Sequence, residues 1–175
     1  MKTDILILLE SKERELESAC LLNEELKKRG YKVLIKSVYP NKESYIFKYN
    51  PKLVITPWIY NDNDMKYFSC FYIHKNTKIL NLHHEQYSGQ NIENACLPKG
   101  EAKNVYHISW GNEFTQGLIN TGCKESMICQ AGNIRLDFFK ENLKEMSKTM
   151  TFFSQNDHLN WLCESYINPH IGKSS

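Results

Sequence analysis

The chain has 175 residues, of which 41% are hydrophobic and 24% are charged. This composition is typical of one globular domain and excludes a disordered, collagen-like or coiled-coil chain. The 22 basic and 20 acidic residues give a formal net charge of +2, which lends little electrostatic support to general binding of nucleic acid or of an anionic membrane.

The cysteines show neither a disulfide framework nor a metal site. The six of them form no CxxC pair and no zinc-type spacing, and several lie in apolar runs. Reduced, packed thiols are expected from this pattern. The apolar run at residues 5–9 is too short for a signal peptide or a membrane span. We therefore predict a cytoplasmic protein.

Apolar segments typical of strands alternate with helical ones along the chain. The continuous apolar run at 5–9 predicts a strand that is buried on both faces. Ser11 is placed to cap the following helix, which ends at Gly30. Further strands are predicted at 33–35, 52–56, 78–82, 105–109 and 126–130, and further helices at 41–49, 62–74, 91–96 and 113–120.

This alternation predicts a doubly wound α/β fold with a Rossmann-like, mostly parallel sheet of about six strands and helices on both faces. The domain is expected to cover residues 1–140. Residues 141–175 are expected to form a helical extension, with helices at 138–150 and 158–166. That extension is too short for a second domain, so it is interpreted as a linker or as a segment that crosses back onto the first domain.

Polar and aromatic residues follow the predicted strands. Ligands of open parallel sheets bind beyond the carboxyl ends of the strands. The residues at these positions are Glu10, Trp58, Tyr60, His84, Glu85, Gln86, Trp110 and Arg135. Such a mixture suits a polyhydroxylated ligand, because indole faces cover the apolar C–H surface of a sugar while polar groups fix its hydroxyls.

Several of these residues have a structural alternative. If the fourth strand continued, His83 and Glu85 would point to one side and His84 to the other. Glu85 or a histidine is suited to remove a proton from an attacking hydroxyl, but the same trio is equally typical of a hydrogen-bonded loop without chemistry. A zinc site is disfavoured, since adjacent histidines lack the i, i+4 spacing of a helical metal site.

The tryptophans and Arg135 also have two interpretations each. Trp58 and Trp110 either stack on a sugar or close the ends of the core. Arg135 either binds a phosphate or carboxylate, or pairs with Asp137 in its own loop.

The turn after the first strand excludes several cofactors. Residues 9–14 contain no glycine, so neither a dinucleotide-binding turn nor a P-loop forms there. NAD, FAD and ATP are excluded by these routes, and no cofactor is expected. The chain also lacks the G-x-S-x-G elbow of a hydrolase.

Two motifs carry a resemblance to a known family. Trp110-Gly111 precedes a helix, and after Gly122 and a strand comes the run GNIRLD at 132–137. These features resemble the WG and GNPRxD signatures that close the N-terminal half of bacterial surface-carbohydrate, or capsular polysaccharide, biosynthesis glycosyltransferases of the GT-B type. The segment His84-Glu85-Gln86 is similar to their EQ motif. The resemblance covers about residues 4–139, and Ile134 stands where the family has proline.

The resemblance implies a two-domain enzyme whose first half holds the carbohydrate acceptor and whose second half holds a nucleotide-sugar donor. Glu85, or alternatively His84, would deprotonate the acceptor. Trp58, Tyr60 and Trp110 would line the acceptor side, Glu10 and Gln86 would bind hydroxyls, and Arg135 would lie near the domain junction. The donor would come from a missing domain or a partner subunit, so transfer by this chain alone is not expected.

Other functions remain open at this point. They are the corresponding half of a sugar-nucleotide epimerase, a stand-alone module that binds carbohydrate or nucleotide, and an interaction subunit. Peripheral association with membrane-bound biosynthetic machinery is a further expectation.

Overall fold

The computed structural model describes residues 2–40, 42–74, 76–86 and 96–134. The strands are β1 (Ile5–Leu9), β2 (Val33–Ser37), β3 (Leu53–Thr56), β4 (Lys78–Asn81), β5 (Tyr106–Ser109) and β6 (Ile128–Gln130). The helices are α1 (Lys12–Lys28), α2 (Glu43–Tyr49), α3 (Asp62–Tyr67), α4 (Ser69–Tyr72) and α5 (Asn112–Asn120). Turns of 3-10 helix at Gly100–Asn104 and Glu125–Met127 lead into β5 and β6.

The six strands form one parallel sheet in the order β2-β1-β3-β4-β5-β6. Ile5 of β1 is in register with Val33 on one side and with Leu53 on the other. The predicted Rossmann-like α/β fold is therefore confirmed. The chain leaves β1 in one direction to form β2 and then returns past it to form β3. This reversal makes the carboxyl ends of β1 and β3 the topological switch point, where ligands bind in doubly wound sheets.

β1 is apolar throughout because helices cover both faces of the sheet. Ile5, Ile7 and Leu9 pack in a cluster with α1. Leu6 and Leu8 point to the opposite face, where they pack in a cluster with residues of α2, α3 and α4. Side chains alternate between the faces of a strand, so a strand covered on both sides needs apolar residues at every position.

Two local predictions are wrong. Ser11 precedes α1, but its side chain does not cap the helix. Its hydroxyl donates to Glu13 instead. The segment predicted as one helix at 62–74 breaks at Phe68, and the break lets both Phe68 and Phe71 enter the core, where each is fully buried. The expected helices at 138–150 and 158–166, and most of the one at 91–96, lie outside the described residues.

Candidate functional site

A cleft of about 460 Å³ opens at the switch point. Its walls come from the segments that follow β1, β3 and β4, together with the first turns of α1 and α3. The lining residues are Glu10, Arg14, Glu15, Pro57, Trp58, Tyr60, Asn61, Asp64, His84 and Glu85. Five positions selected from the sequence, Glu10, Trp58, Tyr60, His84 and Glu85, therefore share one cavity.

Arg14 joins two sides of this cleft. Its guanidinium lies 3.3 Å from a carboxylate oxygen of Glu10 and 3.3 Å from one of Glu85. Glu15, behind it, accepts a hydrogen bond of 2.8 Å from the backbone N–H of Glu10. These contacts fix the segment after β1 against the segment after β4. Because the Arg14 side chain is about half exposed, each of its ion pairs stabilises the fold only modestly.

The segment after β3 presents aromatic surface to the cleft. Trp58 is half-buried, and its ring lies 5.1 Å from that of Phe68 in an edge-on arrangement. The next turn is fixed by a capping box at the start of α3, in which Asn61 accepts from the backbone N–H of Asp64 while Asp64 accepts from that of Asn61. Asp64 also accepts from the backbone N–H of Tyr60 at 2.6 Å. Trp58 and Tyr60 are thus held by the core on one side and by the cap on the other.

The segment after β4 does not continue the alternation of the strand. The side chain of Asn81 accepts from the backbone N–H of His83, and His83 has a left-handed backbone with φ of 50°. His83 is fully buried, whereas Glu85 is exposed and His84 is half-buried in the cleft wall. The strand therefore does not continue past Asn81, and the same-side arrangement of His83 and Glu85 that its continuation would give does not arise, because an Asx turn ends the strand geometry.

A pair of buried imidazoles lies beneath the cleft. His83 Nε2 is 2.8 Å from His107 Nδ1, and both residues are fully buried. Burial holds the pKa of His83 well below its usual range, and the neighbouring His107 lowers it further. Burial also lowers the pKa of His107 to about 4, although the nearby backbone of Lys103 and Ala102 opposes the shift. Both rings are therefore neutral at pH 7 and act as packed hydrogen-bonding groups.

Asn81 connects this buried pair to the aromatic wall. Its amide donates to the carbonyl of Ile59 at 2.7 Å, while its oxygen accepts from the backbone of His83 at 3.0 Å. Ile59 lies between Trp58 and Tyr60 and is fully buried. One buried side chain therefore ties the segments after β3 and β4 together and sets the width of the cleft.

The cleft is acidic. Four carboxyl groups line it, those of Glu10, Glu15, Asp64 and Glu85, against the single guanidinium of Arg14. Burial raises the pKa of Glu15, although hydrogen bonds from the backbone at Glu10 and Ser11 oppose the shift. Burial likewise raises the pKa of Tyr60, so its phenol is protonated at pH 7, and its hydroxyl donates to the backbone carbonyl of Glu85 at 3.5 Å.

Two of the selected positions that the structure describes, Gln86 and Trp110, are not in the cleft wall. Gln86 donates to the carbonyl of Ile108 at 3.0 Å and accepts from the backbone N–H of Trp110 at 2.9 Å, so its amide joins the segment after β4 to β5. The ring of Trp110 is half-buried against the core beside α1. Arg135 lies outside the described residues.

The sequence analysis missed several residues of the site. Arg14, Asn61 and Asp64 line the cleft, and Asn81 and His107 support it. Two sequence spacings do indicate some of these contacts. Glu10 and Arg14 have the i, i+4 spacing of a helical ion pair, and Asn61-x-x-Asp64 has the spacing of a capping box. Nothing local distinguishes His107, because its partner is 24 residues away.

The described residues contain no group of three or more His, Cys, Asp or Glu side chains arranged to hold a metal ion. Within the same residues, no helix is both long enough and apolar enough to cross a membrane. Comparison with known proteins finds no matching family model, no matching curated protein and no matching solved structure.

Proposed function

We propose that the cleft binds a carbohydrate acceptor and that the chain is the acceptor-side half of a glycosyltransferase. One observation carries the proposal: Glu10, Trp58, Tyr60, His84 and Glu85, which come from three separate strand ends, line one cavity of about 460 Å³. This volume lies within the range of small-ligand sites. An indole, a phenol and several carboxylates supply the apolar face and the hydroxyl acceptors that a saccharide requires.

The charge of the cleft favours an acceptor over a nucleotide-sugar donor. Four carboxyl groups against one guanidinium repel a diphosphate. The segment after β1 also lacks the glycines that allow backbone N–H groups to surround a phosphate. A neutral saccharide meets no such repulsion, and its hydroxyls donate to carboxylates in short, charge-assisted hydrogen bonds.

Glu85 is the proposed base, with His84 as the alternative. In this reaction the Glu85 carboxylate takes the proton of an acceptor hydroxyl while the hydroxyl oxygen attacks the anomeric carbon of the donor. The bond from that carbon to the phosphate oxygen breaks, and the nucleotide leaves with the electron pair. Arg14 contacts Oε1 of Glu85 at 3.3 Å and holds the carboxylate at the cleft mouth.

Calorimetric titration of the full chain tests the proposal. Neutral oligosaccharides are expected to bind, and nucleotide sugars to bind more weakly or not at all. Trp58→Ala should weaken saccharide binding by about fivefold or more, since an aromatic contact contributes about 1 kcal/mol or more beyond its area. Glu17→Gln, which changes an exposed carboxyl group on α1 away from the cleft, is the matched control. Absence of saccharide binding, or tighter binding of nucleotide sugars, contradicts the proposal.

The Arg14 contact favours a second candidate, a stand-alone carbohydrate-binding module. The Arg14 guanidinium donates a hydrogen bond to one of the two Glu85 oxygens that would receive the proton. The two candidates differ in the effect of Glu85→Gln. In a binding module this variant weakens saccharide affinity as Glu10→Gln does. In an enzyme it lowers transfer by 10²-fold or more and leaves acceptor affinity within a few fold.

A further inference from the structure

A row of lysines lies along the amino-terminal edge of the sheet, opposite the cleft. Lys32 directly precedes β2, Lys52 directly precedes β3, and Lys78 begins β4. Backbone hydrogen bonds run from Asp4 to the carbonyl of Lys32, from Lys52 to that of Asp4, and from Lys78 to that of Lys52. These positions are therefore side by side. With neighbouring strands spaced about 4.8 Å apart, the row from β2 to β4 spans about 14 Å.

Other cations extend the row. Lys2 precedes β1, Lys124 lies shortly before β6, Lys48 is in the last turn of α2, and α1 ends beside β2 with three consecutive cations. Among the described residues, the cations at this edge are Lys2, Lys27, Lys28, Arg29, Lys32, Lys48, Lys52, Lys78, Lys103 and Lys124, and two of them, Lys27 and Lys28, are paired with Glu24 and Glu25. The carboxyl groups there are those of Asp4, Glu24, Glu25 and Glu125.

The net charge of +2 therefore does not reflect how the charges are distributed, because acidic and basic groups lie at opposite ends of the sheet. The cleft at the carboxyl end of the sheet is acidic, whereas the opposite edge has an excess of cations. Asp4, which lies within the row, is paired with Lys52 at 3.1 Å. Electrostatic attraction depends on the local field rather than on the total charge, so this edge attracts an anionic surface even though the whole chain is nearly neutral.

Exposed apolar side chains lie at the same edge. Phe47 is 88% exposed in the last turn of α2, and the carbonyl of nearby Tyr49 accepts from the backbone at the start of β1. Ile73 is 74% exposed after α4. It lies four residues before Thr77, whose hydroxyl donates to the carbonyl of Pro51 just ahead of β3. Both exposed side chains therefore lie where α2 and α4 end, at the edge of the sheet that carries the lysines.

We propose that this amino-terminal edge binds a membrane surface containing acidic phospholipids. Exposed aromatic and aliphatic side chains enter the interface between headgroups and acyl chains, while lysines extend their charges to the phosphates. Each lysine near an acidic leaflet strengthens binding about fivefold. A nucleic acid would neutralise the lysines but offer no apolar layer to Phe47 and Ile73, so the combination favours a lipid surface.

The proposal also explains why the two ends of the sheet differ in charge. Bound by this edge, the domain would place its cleft on the side away from the membrane, about 17 Å further along the five-residue β1. An acidic cleft in contact with acidic lipids would be repelled. The proposal stands on the charge distribution and on Phe47 and Ile73, and it does not depend on what the cleft binds.

Co-sedimentation of the full chain with vesicles tests this inference. We expect binding to vesicles of phosphatidylcholine mixed with phosphatidylglycerol, weaker binding at higher salt, and little binding to phosphatidylcholine alone. Lys32→Gln and Lys48→Gln should each weaken binding about fivefold, and Phe47→Ser should weaken it further. Both lysines and Phe47 are exposed, so the variants should retain the fold, as circular dichroism will verify.

Matched controls separate this edge from a general charge effect. Lys12 at the start of α1 and Lys66 in α3 are exposed lysines outside the row, so Lys12→Gln and Lys66→Gln should leave vesicle binding unchanged. The inference is overturned if these controls weaken binding as much as Lys32→Gln does. It is also overturned if both vesicle types bind equally, if neither binds, or if duplex RNA binds more tightly than the acidic vesicles.

Discussion

Acidification should destabilise the chain through the buried pair His83 and His107. Both imidazoles are neutral in the folded state because burial lowers their pKa values. In the unfolded chain each titrates near 6.5. The unfolded state therefore binds more protons below that pH, and the free energy of unfolding falls as the pH falls. The loss stops only when the pH drops below the folded-state pKa values.

The size of the effect follows from the two pKa values of His107. With a folded-state pKa of about 4 and an unfolded value of about 6.5, this residue costs about 2 kcal/mol at pH 5 relative to pH 8. The pKa of His83 is lowered in the same direction by burial, so His83 adds to this loss. Glu15 acts in the opposite direction, because burial raises its pKa and protonation in this range favours the folded state. A net loss of stability between pH 8 and pH 5 is therefore expected, to which His107 contributes about 2 kcal/mol.

Urea unfolding followed by circular dichroism at several pH values between 8 and 5 measures this loss. His107→Gln removes one titrating ring, so it should lower stability at pH 8 but reduce the pH dependence. His74→Gln is the control, since His74 is only half-buried and contacts a hydroxyl of Thr77. Equal stability at pH 8 and pH 5, or an unchanged pH dependence in His107→Gln, would refute the reasoning.

Three further predictions concern the support of the site and the core. Asn81→Ala should lower the free energy of unfolding by roughly 2–4 kcal/mol, because it leaves two buried backbone groups unpaired; a loss below 1 kcal/mol in urea unfolding would contradict this. Gly100→Ala should lower the free energy of unfolding more than Gly30→Ala in the same assay. Both glycines have positive φ, but only at Gly100 would a Cβ meet the carboxylate of Asp62. Equal losses of free energy in the two variants would contradict this. In a thiol-labelling assay Cys129, whose pKa burial raises to about 12, should react far more slowly than exposed Cys20; similar rates would contradict the burial of Cys129.

The architecture could be predicted because its signal is local. A strand covered on both faces must be apolar at every position, as residues 5–9 are, and the alternation of such runs with helical segments implies a parallel sheet. The rule that ligands bind at the carboxyl ends of strands then selected Glu10, Trp58 and Glu85 from three distant segments. These three do share one cleft.

The rest of the site depends on contacts that are remote in sequence. The side chain of Asn81 bends the chain at His83, which reverses the side-chain directions that simple alternation predicts. Gln86 leaves the cleft because two backbone groups of the neighbouring β5 segment satisfy its amide. A sequence window shows the polar character of these residues but not the partner that each finds after folding.

Nuclear magnetic resonance tests the central claim most directly. The chain, labelled with nitrogen-15, is titrated with a neutral oligosaccharide while the backbone amide signals are followed. The account predicts that the largest shifts cluster at Glu10, Tyr60 and Glu85, at the carboxyl ends of β1, β3 and β4. Shifts confined to the amino-terminal edge of the sheet, or no shifts at saturating saccharide, would contradict it.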